Sequence, residues 1–307
     1  MSRPVLICGA TGKQGGAVIN KLLEEKADFE ILAITRDVNS ASAQRLLKKS
    51  SRIKLVQGDL AKPLAIFTAA KQVTKSPIWG VFSVQVPMGF GQGGGGELGQ
   101  GKALIDAAIE VGVKFFVYTS VDRYGEASID NPTRIPHFIN KHNIEHHLIN
   151  STKNGKMNWT ILRPVAFMEN FTDNFLGRAF VTSWKMAVKN KPLQVIAVRD
   201  IGFFGAQAFL RPDEFKGRGI SLAGDELTID QMAQIFKKKT GRDLDWTYRF
   251  ICSLLMWMVK DFGIMFKWFY DVGYAANIAE LKKMHPGLTN FETWLETESQ
   301  FAKNIKP

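Results

Sequence analysis

The residues best suited to bind a charged ligand stand close to the start of the chain. The sequence GATGKQGG spans residues 9–16, has glycines spaced as GxxGxxG, and directly follows the apolar run Val5–Cys8. A turn of this kind between a strand and a helix offers backbone N–H groups and a positive helix dipole to a pyrophosphate. We therefore expect a dinucleotide here. The predicted contact residues are Gly9, Thr11, Gly12, Lys13, Gln14 and Gly15.

The residues after the second predicted strand indicate the type of dinucleotide. A carboxylate there would accept hydrogen bonds from the ribose hydroxyls of NAD, whereas this chain has Arg36, with Asp37 one step further on. A guanidinium is planar and always charged, so it can pair with a 2′-phosphate and stack on adenine. NADP(H) is therefore favoured over NAD(H), and a plain surface role for Arg36 is the alternative. Further cofactor contacts are predicted at Asp59, Leu60, Gln85 and Val86.

The pattern of the chain predicts a scaffold that can hold these residues together. Short β-branched runs recur about every 25 residues and alternate with segments of helical periodicity, which is typical of a doubly wound parallel sheet. We predict an α/β fold, with a Rossmann-type sheet and a smaller α/β C-terminal lobe. The predicted NADP(H)-binding domain comprises residues 1–165 and a returning segment, 193–212, and the lobe comprises 166–192 and 213–307. Strands are predicted at Val5–Cys8, Glu30–Thr35, Ile53–Gln57, Gly80–Val84, Phe115–Thr119 and Trp159–Leu162.

Two segments have an unusual composition. Gly89–Gly101 is rich in glycine and lies between a predicted strand and a predicted helix, so it is either a lid over a ligand or a long loop. Phe250–Tyr274 is rich in Met, Trp, Phe and Tyr, and is either a core helix or the wall of a pocket or partner surface.

Composition and charge exclude several classes of protein. Of the 307 residues, 45% are hydrophobic and 22% are charged, and two cysteines are too few for a disulfide framework. The net charge of +11 is spread along the chain, which favours a solvated surface over a nucleic-acid site. The apolar run Phe250–Val259 is too short to span a membrane, and no cleavable signal is visible. We expect a cytoplasmic protein, with the nucleus as a further location.

Metal binding is not expected, although one helix carries a metal-like spacing. His142 and His146 frame an H-x-x-E-H pattern, which in inverted zinc peptidases supplies two metal ligands. A third ligand is not evident from the sequence, and a zinc site needs at least three protein ligands.

Further motifs follow in order along the chain and support a resemblance to a known family. These motifs are VQGDL (56–60), FVYTS (116–120), HFINK (137–141), LRPVAFMEN (162–170) and LTNFETWL (288–295). Together with the glycine motif they resemble the NmrA-like family, an atypical branch of the short-chain dehydrogenase/reductase superfamily, over nearly the whole length. That family includes NADP(H)-binding redox sensors and transcriptional co-regulators as well as reductases.

The resemblance also implies where chemistry would occur. The wider superfamily uses Tyr-x-x-x-Lys on one helix face, where the lysine lowers the pKa of the tyrosine so that it passes a proton. Lys141 and Ser120 fit the superfamily's lysine and serine, but His137 stands in place of the tyrosine. The resemblance places Lys141 on the nicotinamide ribose, and Phe167 and Glu169 beside the nicotinamide. A structural cap is the alternative role for Glu169.

Three outcomes remain open for proton transfer: His137 acts as the acid, Lys141 acts as the acid, or there is no turnover. The sequence thus predicts an NADP(H)-binding protein that is a cofactor-responsive regulator, such as a redox sensor, or a weak oxidoreductase. The alternative is an NADPH-dependent reductase of an apolar or aromatic small molecule. The expected partner is a small-molecule substrate or a regulatory protein, not a membrane, and a homodimer is left open.

Overall fold

The computed structural model describes residues 2–85 and 96–305. Most strands of the first half are short, apolar and buried, as expected where helices cover both faces of a sheet. The strands are β1 (Arg3–Ile7), β2 (Phe29–Thr35), β3 (Ile53–Gln57), β4 (Gly80–Ser83), β5 (Phe115–Thr119), β6 (Asn158–Pro164), β7 (Ala166–Phe167), β8 (Leu193–Ile196), β9 (Arg218–Leu222) and β10 (Asp225–Leu227).

Seven of these strands form one sheet in the order β3-β2-β1-β4-β5-β6-β9. β1 pairs in parallel with β2 on one side and with β4 on the other, and the pairs β2–β3, β4–β5 and β5–β6 are parallel as well. The strand order reverses between β1 and β4, which is the switch point where doubly wound sheets bind ligands. The predicted Rossmann-type α/β fold is confirmed.

Helices connect most successive strands, and further helices follow the last strand. The helices are α1 (Lys13–Glu24), α2 (Ala41–Leu47), α3 (Pro63–Val73), α4 (Gly96–Glu110), α5 (Pro136–Ser151), α6 (Phe175–Ala187), α7 (Val198–Leu210), α8 (Pro212–Phe215), α9 (Ile229–Thr240), α10 (Arg249–Met258), α11 (Lys260–Asp271), α12 (Ile278–Met284) and α13 (Phe291–Thr297). Short 3₁₀ helices lie at Gly125–Ile129, Met168–Asn170 and Ala302–Asn304. Among the described residues, no helix is both long and apolar enough to cross a membrane.

The chain divides into two compact units whose limits differ from the predicted domain boundaries. The predicted returning segment begins at 193, but β8 pairs with β7 and β10 in a separate three-stranded sheet that belongs to the second unit. Residues 121–138 also belong to the second unit. The first unit comprises Met1–Ser120, Ile139–Leu162 and Ile201–Ile220, and the second comprises Val121–Phe138, Arg163–Asp200 and Ser221–Pro307.

The predicted glycine-rich loop 89–101 is wrong for its last six residues, because α4 already begins at Gly96. Glu97, Gln100, Gly101 and Leu104 are all buried and share one helix face, since they are spaced by three or four residues. Packing of this face outweighs the weak helix propensity of glycine. The rest of the loop, with Val86 before it, lies outside the described residues.

The aromatic segment 250–274 forms two successive helices with opposite burial. α11 buries Phe266, Trp268 and Phe269 in the hydrophobic core of the second unit. In contrast, Cys252 is the only residue of α10 that is buried, and Trp257 is 77% exposed. The core interpretation of this segment therefore holds for α11 and does not hold for the outer face of α10.

Candidate nucleotide-binding site

The turn between β1 and α1 has a backbone that requires glycine at its first position. Gly9 has φ +60°, in the left-handed region, and the N–H of Gly12 donates a hydrogen bond of 2.8 Å to the carbonyl oxygen of Gly9. A Cβ atom on Gly9 would lie 2.8 Å from Cγ1 of Val84, which follows β4. The turn is therefore tight, and its first position has no room for a side chain.

The third glycine of the motif allows α1 to approach the end of β1 closely. A Cβ atom on Gly15 would lie 2.5 Å from the carbonyl oxygen of Gly9 and would also collide with the carbonyl oxygen of Cys8. Both contacts are with backbone, which cannot move aside cheaply. Burial raises the pKa of the Cys8 thiol to about 12, so this residue is an inert part of the core rather than a reactive group.

The first turn of α1 is suited to bind an anion. Its N-cap residue, Gly12, makes no side-chain capping hydrogen bond, and the turn contains no acidic residue. The helix dipole and the first N–H groups therefore have no competing carboxylate. Thr11, Gly12 and Lys13 are exposed, while the Gln14 Oε1 accepts a hydrogen bond of 2.6 Å from the Thr119 hydroxyl. The Gln14 amide thus ties α1 to β5 in addition to any ligand contact.

The two charged residues after β2 have different surroundings. The Asp37 carboxylate accepts a hydrogen bond of 2.8 Å from the Asn39 N–H and so closes a local turn. Arg36 is exposed, and its guanidinium has no hydrogen bond or ion pair with any residue in the ranges 2–85 and 96–305. The Arg36 guanidinium is therefore available to a ligand at this position, while one oxygen of the Asp37 carboxylate is engaged in the turn.

The other residues predicted from strand ends occupy three kinds of environment. The exposed Asp59 carboxylate accepts a hydrogen bond of 2.9 Å from the Ala61 N–H, while Leu60 packs against the hydrophobic core. The Gln85 Nε2 donates to the Ser83 hydroxyl at 2.9 Å, and its buried Oε1 accepts no hydrogen bond from the described residues. Val86 lies outside those residues.

Lys141 forms a buried ion pair with an acid that the sequence analysis did not identify. Its Nζ lies 2.9 Å from Oε1 of Glu97 and 5.9 Å from the ring centroid of Tyr118. Both charged side chains are buried. Glu97 had been assigned to the glycine-rich loop. The available signal was the spacing of Glu97 from Gly101 and Leu104, which places a carboxylate on the buried face of α4.

Ser120 and His137 are held by other contacts. Ser120 is buried at the end of β5, and its N–H donates a hydrogen bond of 2.7 Å to the carbonyl oxygen of Leu162. The His137 Nδ1 lies 3.4 Å from Oδ2 of Asp261, within the second unit. Although His137 precedes Lys141 by one turn of α5, the imidazole and the ammonium therefore have different charged partners.

Glu169 has a structural role in the second unit. Its Oε1 accepts hydrogen bonds from the Val198 N–H, at the start of α7, and from the Trp294 Nε1, at 2.9 and 3.2 Å. Burial raises the pKa of the Glu169 carboxyl. Phe167 is half-buried in β7. The capping interpretation of Glu169 is thus observed, and a role beside the nicotinamide stays a prediction for both residues.

The metal-like spacing on α5 brings two imidazoles together. The rings of His142 and His146 have their centroids 4.3 Å apart. Within the described ranges, no group of three or more His, Cys, Asp or Glu residues could hold a metal ion.

A model of the NmrA-like family matches residues 1–295. The chain belongs to the NmrA-like family. An NmrA-like family domain-containing protein of Dictyostelium discoideum is 23% identical over 320 residues, which cover 96% of this chain and 98% of that protein. The NmrA-like family domain-containing oxidoreductase ptmS of Penicillium ochrochloron is 27% identical over 257 residues, which cover 78% of this chain and 73% of that protein.

Solved structures show the same fold. The NADPH-dependent quinone oxidoreductase of Escherichia coli, complexed with NADPH, gives a TM-score of 0.68 at 21% identity, with 94% of this chain and 96% of that chain covered. NmrA, a negative transcriptional regulator in complex with NADP, gives a TM-score of 0.66 at 16% identity, with 97% of this chain and 95% of that chain covered. At these identities the likeness establishes the NmrA-like fold, and it leaves function to be argued from the residues of this chain.

Proposed function

We propose that this chain binds NADP(H) in its first unit, with the pyrophosphate at the N-terminus of α1. The observation that carries the proposal is the glycine turn Gly9–Gly15, which approaches the end of β1 more closely than any side chain would permit. The turn leads into a helix whose N-terminus has neither a side-chain cap nor an acidic residue. An anion with several oxygen acceptors fits such a site.

A preference for NADP(H) over NAD(H) follows from the residues after β2. The Arg36 guanidinium is exposed and has no partner among residues that the structure describes, whereas the Asp37 carboxylate is engaged in a turn. A free guanidinium fits a 2′-phosphate, the group that distinguishes NADP(H) from NAD(H). The two structural relatives complexed with NADPH or NADP support the same preference.

Calorimetric titration of the purified chain with NADP⁺, NADPH, NAD⁺ and NADH tests this proposal. The two phosphate-bearing nucleotides are expected to bind at least tenfold more tightly than their counterparts, which corresponds to about 1.4 kcal/mol. Equal and weak binding of all four nucleotides would contradict the proposal.

A second proposal concerns turnover: the chain is an NADPH-dependent reductase in which Lys141 supplies the proton. Bound NADPH supplies a hydride to an acceptor such as an aldehyde, quinone or enone. The Lys141 ammonium, held by Glu97, is the proton donor that this unit offers in place of the missing tyrosine. The naming of relatives such as ptmS as oxidoreductases supports turnover, whereas the choice of Lys141 rests on its buried pairing with Glu97. The acceptor is expected to be apolar or aromatic.

Loss of NADPH absorbance in the presence of aldehydes, quinones and enones tests the second proposal. Steady oxidation by the wild type, and its loss in Lys141→Ala, is the expected result. His137→Ala is the matched test of the other proton donor and is expected to retain activity, because Asp261 engages that imidazole. Tight NADPH binding without oxidation of any acceptor would overturn the reductase proposal and favour a cofactor-responsive regulator.

A further inference from the structure

Glu97 and Lys141 form a buried ion pair between two helices of the first unit. Glu97 lies in the first turn of α4 and is 1% exposed, while Lys141 lies on α5 and is 7% exposed. Nζ and Oε1 are 2.9 Å apart. Both carboxylate oxygens of Glu97 are buried, and neither accepts a hydrogen bond of regular geometry from residues 2–85 or 96–305, so the contact with Lys141 is an ion pair.

The surroundings of the pair single out Glu97 as the counter-ion of Lys141. The groups known to face the ammonium are the Glu97 carboxylate from α4 and the Tyr118 ring from β5. On α5 itself, His137 and Glu145 lie one turn before and one turn after Lys141. In a buried setting an ammonium is costly unless a carboxylate compensates it, and such a pair also fixes a long and flexible side chain in one place.

Stability alone does not account for the pair. A buried ion pair generally contributes little more to stability than well-packed apolar residues of the same size, because both charges must be desolvated. What the pair provides in addition is a lysine whose ammonium has a defined position. In this unit that lysine is the one that the resemblance places on the nicotinamide ribose and that the proposed function makes the proton donor.

We propose that Glu97 is the positioning residue for Lys141: its carboxylate holds the ammonium toward the nicotinamide half of the bound nucleotide. This inference rests on the proposed NADP(H) function. It assigns Glu97 no contact with the adenosine half of the nucleotide, whose 2′-phosphate the proposed function assigns to Arg36.

Nucleotide fragments separate this role from general stabilisation. NADPH carries both halves, whereas 2′,5′-ADP carries the adenosine and its 2′-phosphate but lacks the nicotinamide ribose. In calorimetric titrations, Glu97→Gln is expected to raise the dissociation constant of NADPH about tenfold. The dissociation constant of 2′,5′-ADP is expected to stay within twofold of the wild-type value. Glu110→Gln, which makes the same change at an exposed position of α4, is expected to leave both ligands unaffected.

A double-mutant cycle completes the test. Because Glu97 acts through Lys141, the variant Glu97→Gln/Lys141→Met is expected to bind NADPH no more weakly than Lys141→Met alone. The double variant also removes both charges together, so it provides a folded protein if Glu97→Gln, with its unpaired buried ammonium, fails to fold. Circular dichroism at each step verifies the fold.

Each outcome decides the inference. Unchanged NADPH binding in folded Glu97→Gln, equal weakening of both ligands, or additive effects in the double variant would overturn the positioning role and leave the NADP(H) proposal intact. A wild type that binds neither NADPH nor 2′,5′-ADP would overturn both.

Discussion

The glycine turn of the first unit and the aromatic segment of the second are both conspicuous in composition, yet the structure uses them differently. In the turn, Gly9 and Gly15 each meet a specific backbone or side-chain contact that only glycine permits. In the aromatic segment, residues of the same kind are buried on α11, as with Phe266, and exposed on α10, as with Trp257. Composition therefore determines the role of the turn but does not determine the role of the segment.

The difference has a physical cause. A tight turn requires glycine because of the conformation of the few residues around it, so the requirement is visible in the local sequence. The burial of an aromatic side chain depends on elements that are distant in the chain. The ring centroid of Phe266, for example, lies 5.7 Å from that of Phe180 on α6.

The largest expected effect sharpens the contrast within the aromatic segment. Phe266→Ala is expected to lower the free energy of unfolding by about 3–5 kcal/mol, because it leaves a cavity in a packed core. Trp257→Ala removes a larger side chain from an exposed position of α10, and a change within about 0.5 kcal/mol is expected. Chemical denaturation of both variants provides the measurement, and equal losses of stability would contradict the division between α10 and α11.

The next effect tests the glycine turn. Gly15→Ala is expected to weaken NADPH binding about 100-fold, or about 2.7 kcal/mol, because its Cβ collides with two backbone carbonyl oxygens and moves α1. Gly16→Ala, the adjacent control, places a Cβ at an ordinary 3.4 Å from the Ala10 carbonyl oxygen and is expected to bind like the wild type. Equal binding by both variants in calorimetric titrations would show that the close approach at Gly15 is not needed.

A smaller effect concerns Glu169, whose role the resemblance placed at the cofactor. Glu169→Ala is expected to lower the free energy of unfolding by about 1–2 kcal/mol, because the Val198 N–H and the Trp294 Nε1 lose their acceptor. Glu169→Gln retains an acceptor oxygen and is expected to preserve most of the stability. Thermal or chemical unfolding of the two variants distinguishes this cap from a residue that acts only on the nucleotide.

The pH dependence of unfolding provides an independent test of Glu169. Its folded pKa is raised above the ordinary value of 4.5 by burial, so the folded protein retains a proton that the unfolded chain releases. Between 4.5 and the raised value, stability therefore falls as the pH rises. Glu169→Gln cannot titrate and is expected to flatten this part of the profile. An unchanged profile would contradict the buried position of the carboxyl.

The sequence predicted more of the backbone than of the side-chain partners. The parallel α/β sheet and the strand ends that carry Arg36 and Asp59 follow from apolar periodicity, which is a local property of the chain. The division into two units was predicted at other boundaries, since β8 pairs with β7 and β10 rather than entering the large sheet. Strand pairing of this kind depends on residues far apart in the chain.

The partners of the predicted site residues were least accessible to sequence reasoning. Glu97 pairs with Lys141 across 44 positions of the chain, and Asp261 pairs with His137 across 124. Such contacts arise only when helices pack, and no spacing rule within one element reports them. A motif within one helix, such as Tyr-x-x-x-Lys, can reveal that a tyrosine is missing, but it cannot reveal which charged group is the neighbour of the lysine.

The account depends most directly on Arg36 as the residue that recognises the 2′-phosphate. The decisive measurement is the ratio of the dissociation constants of NADH and NADPH for Arg36→Ala and for Arg45→Ala, which removes the same charge from the exposed end of α2. In Arg36→Ala the ratio is expected to fall about tenfold, corresponding to about 1.4 kcal/mol, because NADPH binding weakens and NADH binding does not change. In Arg45→Ala the ratio is expected to stay at the wild-type value. An unchanged ratio in Arg36→Ala would contradict the account.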